Sequence, residues 1–312
     1  MINKNFDGWL NTNHKNNLIA EFKKNLERIL LLKETKINTD LDDYNQLYSH
    51  FQHEIKSYKN LIYFRLYDLG STLLYAIEKK NYTTATIISR GIFETQLMYA
   101  FRMNRIIKII DNNKWSNLYI EILNLKMVPS WKDDGTINFN EVFPDLKKFH
   151  INDAIRNISI NYSFNKDEQK TIEKMFFKYY GEMSEISHPT QANRSLYVMD
   201  RDKFDLEKQN KKIYRDSFSV NHGDNKVFPI FSTTMGTFKD VINLSELLLN
   251  QCLDKLIKFK VSIVAYEKSS KRKDDLIKAQ PILNNLEQLS DKGLANNEIV
   301  DAIINMSYSK KH

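Results

Sequence analysis

One cysteine, five prolines and eight glycines are all that 312 residues hold of the residue types that staple, break or sharply turn a chain. The lone Cys252 excludes an internal disulfide. It sits in the apolar run Leu247, Leu248, Leu249, Leu253, where a small buried thiol is expected. Gly and Pro lie far below their usual shares of about 7% and 5%. Their scarcity disfavours all-β chains with many tight turns, glycine-rich phosphate cradles and collagen-like repeats. No Walker loop, G-x-S-x-G or G-x-G-x-x-G occurs. No window approaches the roughly 18 apolar residues of a spanning helix. The opening MINKNFDGWLNTNHKNN has no continuous apolar stretch of an export signal. A cytoplasmic protein without membrane contact is expected.

What is present is a globular balance: 42% hydrophobic, 12% aromatic and 27% charged residues. The net charge of +7 is a small surplus between 46 basic and 39 acidic residues, so it favours polyanions only weakly. Sixteen Tyr and eighteen Phe serve equally as core lining or, among lysines, as stacking platforms for bases.

Hydrophobic periodicity then sets the architecture. Leu18, Ile19, Phe22, Leu26, Ile29 and Leu30 mark an amphipathic helix over residues 13–36. Asp40, Asp42 and Asp43 start a second that carries Tyr44, Leu47, Phe51, Ile55, Tyr58, Ile62 and Leu66 and runs toward Lys80, with Gly70 as a kink site. Asn81 opens a third to about Asp111, and a shorter one covers Trp115 to Met127. Residues 128–165 are the least regular, with Pro129, Gly135, Pro144 and an Asn-rich tail, and suggest an insertion holding a turn and one short helix. Helical period restarts at Asp167 and ends by Pro189. The texture between Arg194 and Thr234 suggests a β-hairpin at 211–232, around the turn His222, Gly223, Asp224, Asn225. A long helix follows from Thr237 to about Lys268. The expected fold is mainly α: a multi-helix bundle over 1–268 with a small β-hairpin insertion, then a C-terminal appendage of short helices over 269–312.

Two segments carry candidate chemistry. In the third helix, Arg90 and Glu94 share a face with Ile87, Leu97 or Met98 and Phe101, which puts two charges in an apolar stripe. Burying either ion unpaired costs several kcal/mol. The pair is therefore a structural salt bridge between helices or the wall of a polar site. In the second segment, Tyr180, Ser184 and His188 follow one another at four-residue steps, and Pro189 stops the helix at the histidine. A histidine in a last turn sits at the negative end of the helix dipole, which favours imidazolium and suits a proton donor or anion binder. The competing role is a histidine satisfied by its own helix carbonyls.

Together the segments resemble an uncharacterised family of bacterial helical proteins, with an R-x-x-x-E helix followed some 90 residues later by a helix ending in a Ser-rich histidine turn. The matching positions here are Arg90, Glu94, Ser184 and His188. The sequence also resembles, more distantly, the HEPN bundles of toxin and phage-defence systems, in which a helix-borne Arg and His cut RNA without a metal. Their R-x(4 to 6)-H spacing occurs here only as Arg215 to His222, in sequence of strand texture. The enzyme expectation built on these residues takes Arg90, Glu94 and His188 as catalytic, Tyr180, Ser184 and Arg194 as binding residues, and no cofactor or metal. The resemblance further implies a bacterial antiviral defence or stress protein acting on nucleic acid, with RNA or another polyanion as partner and homodimerisation expected. Two rival expectations stand beside it. One is a non-catalytic interaction protein whose Arg-Glu-His network fixes helix register. The other is a sensor of a small anionic ligand on Arg90.

Other signals fail on their own chemistry. Asp134, Gly135, Ile137 and Glu141 match half of a calcium loop, but Lys132 occupies a ligand position. His50 and His53 have no third zinc ligand in pattern. Lys292 to Val300 has the opening of a helix-turn-helix, yet only about a dozen residues follow it.

Overall fold

The computed structural model describes residues 12–32, 47–79, 81–126, 150–187 and 227–269. Helix is the only regular structure among them. The elements are α1 Thr12–Leu32, α2 Leu47–Glu78, α3 Tyr82–Asp111, α4 Trp115–Lys126, α5 Ile151–Asn161, α6 Lys166–Ser187, α7 Val227–Lys258 and α8 Lys260–Glu267.

Local chemistry sets the ends that matter. The side-chain oxygen of Asn81 accepts the Thr84 N–H at 3.2 Å and so caps α3. At the other end of α3, Asn113 takes the left-handed conformation, φ 53°. It lets the Lys114 N–H reach the Ile109 carbonyl at 3.2 Å and the Asn113 N–H reach that of Ile110 at 3.0 Å. This is the Schellman closure, with Asn in place of the usual Gly. Asn165 caps α6 by accepting the N–H of Asp167 at 3.1 Å and of Glu168 at 2.9 Å. The Glu168 carboxylate reaches back to the Phe164 N–H at 2.9 Å.

The chain packs as two compact units. Unit 1 gathers residues 1–35, 59–101 and 150–247; unit 2 gathers 36–58, 102–149 and 248–312. The core of unit 1 is built on large buried side chains, among them Phe22 of α1, Ile62 and Tyr63 of α2, Tyr99 of α3, and Phe231 and Phe238 of α7. Phe22 and Phe238 meet with ring centroids 4.7 Å apart. α2 runs unbroken through Gly70. A Cβ there would come within 2.5 Å of Leu26 Cδ2, so this glycine admits α1 rather than bending α2. In unit 2, Phe51 and Ile55 of α2, Met103 and Ile106 of α3, Ile122 of α4 and Leu256 of α7 are buried. Cys252 lies among them, its S–H directed to the Met103 carbonyl at 3.7 Å, and burial raises the thiol pKa.

The hairpin expectation changes. Residues 227–232, read as the second half of a hairpin, form the first turns of α7, while 211–226 lie outside the described residues. The reason is spacing: Phe228, Phe231, Met235 and Phe238 recur every three or four residues and are all buried. Pro229 is tolerated because it falls in the first turn. Within the 128–165 insertion, the one short helix expected there is α5, in the Asn-rich tail, with Ala154, Ile155 and Ile158 buried and Asn152 and Asn161 exposed. Residues 128–149 of that insertion, the acidic start at 40–43, and the C-terminal appendage from residue 270 onward lie outside the described residues.

Candidate functional site

α3 and α6 lie side by side in unit 1, and aromatic contacts set their register. Phe93 meets Phe176 edge-on at 5.6 Å and Tyr179 at 5.4 Å. Gln96 donates to the Tyr162 hydroxyl, just ahead of α6, at 2.9 Å. Residue numbers fall along α3 as they rise along α6, so the two helices run antiparallel. Tyr179 is anchored on its far side by α7: its hydroxyl bonds Thr234 Oγ1 at 2.7 Å and the Ile230 carbonyl at 3.1 Å.

This register delivers the next residue, Tyr180, to Arg90. Arg90 Nη2 donates to the Tyr180 hydroxyl at 2.9 Å, and that hydroxyl donates to Glu94 Oε1 at 3.0 Å. Arg90 Nε donates to the same carboxylate oxygen at 2.8 Å, closing a triangle in which the phenol both accepts and donates. The guanidinium carbon lies 5.1 Å from the centre of the Tyr180 ring. Burial works against the charge on Arg90, but the hydrogen bond and charge of Glu94 outweigh it and hold the guanidinium pKa above its ordinary value. Tyr180 is also raised, first by burial and then by Glu94, with Arg90 pulling the other way. A positive group and a negative group thus share one phenol.

The face that carries the cluster differs from the sequence expectation. Arg90 and Glu94 keep 22% and 36% of their side-chain surface in contact with solvent, and Ile87 on the same face is 48% exposed. The buried arc of α3 in this unit runs instead through Ala85, Ile88, Ile92 and Tyr99, and on the Arg90 face Leu97, two turns on from Arg90, is buried. The structure therefore brings together Arg90, Glu94 and Tyr180. Ser184 lies one turn further along α6, and its hydroxyl, like that of Ser89 beside Arg90, is buried without a hydrogen-bond partner. His188 and Arg194 lie outside the described residues; α6 is described as far as Ser187, whose hydroxyl bonds its own helix at the Met183 carbonyl.

Two polar networks were not singled out from the sequence. In unit 2, Glu121 of α4 accepts Arg102 Nη1 at 2.8 Å on one carboxylate oxygen and Arg105 Nε at 2.7 Å on the other. Its side chain is 1% exposed and that of Arg102 5%. Tyr58 lies beside them, its hydroxyl pKa raised by burial, lowered by Arg102 and raised by Glu121. The signal was legible: Trp115, Leu118, Glu121, Ile122 and Leu125 share one helical stripe, the same pattern that flags Arg90. In unit 1, Tyr63 of α2 donates a hydrogen bond to Glu246 of α7. Arg28 of α1 donates to Asn243 at 2.8 Å, and Lys59 Nζ reaches the Leu32 carbonyl at 3.0 Å. These bonds tie α1, α2 and α7 together. Among the described residues no group of three His, Cys, Asp or Glu is placed to hold a metal ion, and no helix is long and apolar enough to cross a membrane.

No family model matches this chain, and no curated protein or solved structure is significantly similar to it.

Proposed function

We propose that the protein acts on nucleic acid in a bacterial defence or stress setting, with Arg90 gripping a phosphate and Glu94 and Tyr180 orienting it. The observation that supports this reading is the guanidinium fixed at two of its nitrogens on a half-exposed helix face. A side chain already held in place loses little entropy on binding, and its planar donors suit a phosphate. Metal-independent RNA cleavage fits these residue types. The 2′-oxygen attacks the neighbouring phosphorus, the bond to the 5′-oxygen breaks, and His188 relays the proton between them.

One observation favours a second reading. Glu94 and Tyr180 neutralise and hydrogen-bond the guanidinium, so the triangle also works as a clasp that fixes α6 on α3. Arg90→Ala separates the two. A half-exposed ion pair contributes about 0.2–1 kcal/mol. The nucleic-acid reading therefore expects a small change in melting temperature together with roughly tenfold weaker RNA binding. The clasp reading expects the opposite. Expression of the parent in bacteria should arrest growth, and both Arg90→Ala and His188→Ala should relieve it. Harmless expression of the parent counts against the nuclease.

A further inference from the structure

Charge is unevenly shared between the two units. The described residues of unit 1 balance fourteen Lys and Arg with thirteen Asp and Glu; those of unit 2 carry ten against five. Five of those ten lie on two adjoining stretches. Lys255 and Lys258 lie at the end of α7, and Lys260 follows the Phe259 joint at the start of α8. Lys108 and Lys114 flank the turn between α3 and α4. The two stretches adjoin, because Lys255 pairs with Asp111 in that turn and the rings of Phe259 and Trp115 lie 6.0 Å apart. On the other flank Lys260 Nζ stands 4.9 Å from the centre of the Tyr48 ring at the start of α2. Three acids are near. Asp111 is matched by Lys255, Glu267 accepts the Leu47 N–H at 3.3 Å, and Asp254 is exposed. Lys108, Lys114, Lys258 and Lys260 remain exposed to solvent.

We infer that this lysine face of unit 2 binds the sugar-phosphate backbone of RNA without reading its sequence. Lysine ammonium groups act as point charges on phosphates rather than as planar readers of bases. The aromatic rings present do not serve as stacking platforms. Tyr48 and Trp115 are buried, and lysine ammonium groups stand over Tyr48 and Phe259. Ile257 and Val261, exposed beside the lysines, raise the alternative of an anionic membrane surface. That alternative is weaker, because α8 has eight residues and turns Ile263 into the core, which leaves too little apolar surface to enter a bilayer. The inference shares with the proposed function the premise that the chain meets nucleic acid, but it assigns the main grip to a different unit from Arg90.

The test is fluorescence anisotropy of the full chain with a short mixed-sequence single-stranded RNA at rising KCl. Four phosphate contacts give a log–log slope of about −2.8, at about 0.7 per contact. The variant K258E/K260E should bind about tenfold more weakly and lose about 1.4 from that slope. The milder K258Q/K260Q should move both in the same direction, and the charge reversal K23E/K24E, at two exposed positions of α1 in unit 1, should move neither. Parent-like binding by both unit 2 variants overturns the inference, as does a parent that binds no RNA. A parent that instead sediments with phosphatidylglycerol vesicles, with loss in K258E/K260E, assigns the face to membranes and overturns it too. Weaker binding in Arg90→Ala alone keeps the proposed function and removes this inference; weaker binding in the lysine variants alone does the reverse.

Discussion

Glu121→Gln is the sharpest probe of what holds unit 2 together. The substitution keeps the shape of the side chain, removes its charge and places an amide donor against an arginine donor. Two guanidinium groups lose their partner, but unequally. Arg105 keeps 28% of its side chain in water and can turn outward, whereas Arg102, at 5%, stays buried as an uncompensated cation. Breaking a buried pair from one side costs about 3–5 kcal/mol. At about 2–4 °C per kcal/mol for chains of this order of size, the melting temperature should fall by roughly 6–20 °C. Urea unfolding followed by tryptophan fluorescence reads the loss, since Trp115 begins the same helix and is buried against Phe259. The double variant Arg102→Met/Glu121→Leu supplies the internal reference. With both buried charges gone and comparable volume in place, it should come back to within about 1 kcal/mol of the parent. A Glu121→Gln loss under about 1 kcal/mol, or a double variant as unstable as the single, refutes the claim that this carboxylate is a buried counter-ion.

The glycines give a matched pair of opposite sign. Gly70→Ala drives a methyl within 2.5 Å of Leu26 in a filled core and should cost about 1–3 kcal/mol despite better helix propensity. Gly181→Ala, exposed with nothing within 4 Å, should gain up to about 1 kcal/mol. Equal shifts in urea midpoint would show that Gly70 is not a packing contact. Tyr162 provides a pH test. Burial, aided by the charge of Asp240 and opposed by the Gln96 hydrogen bond, pushes its hydroxyl up to about 12. A folded value above the unfolded one means its contribution is complete below pH of about 10 and fades as pH rises toward about 12, by at most about 1.4 kcal/mol per unit. Tyr162→Phe should flatten that part of the alkaline stability curve; parallel curves for the two proteins would remove Tyr162 as its source.

Helix positions were the most legible part of the sequence because caps and periodicity agreed there. Asn81 and the closure at Asn113 bracket α3 within a residue of where the pattern puts it. The hairpin expectation failed at 227–232 because short aromatic runs near Gly and Pro look alike in a strand and in a first helical turn. Only the continuation to Met235 and Phe238 separates them. The candidate site was legible in composition but not in depth. Counting along α3 correctly groups Ile87, Arg90 and Glu94, yet α3 carries apolar residues on more than one arc, and the count cannot say which arc turns inward. That choice is made by Phe93, which inserts among Phe176 and Tyr179, and by Tyr179, which is fixed in turn by Thr234 of α7. Those partners lie about 80 to 140 positions away in the chain, so no local pattern reveals them. A charge in an apolar stripe is therefore a question about partners rather than about burial. Glu121 meets two guanidinium groups and stays dry, while Arg90 binds Glu94 and Tyr180 at the edge of the unit and keeps 22% of its side chain in water.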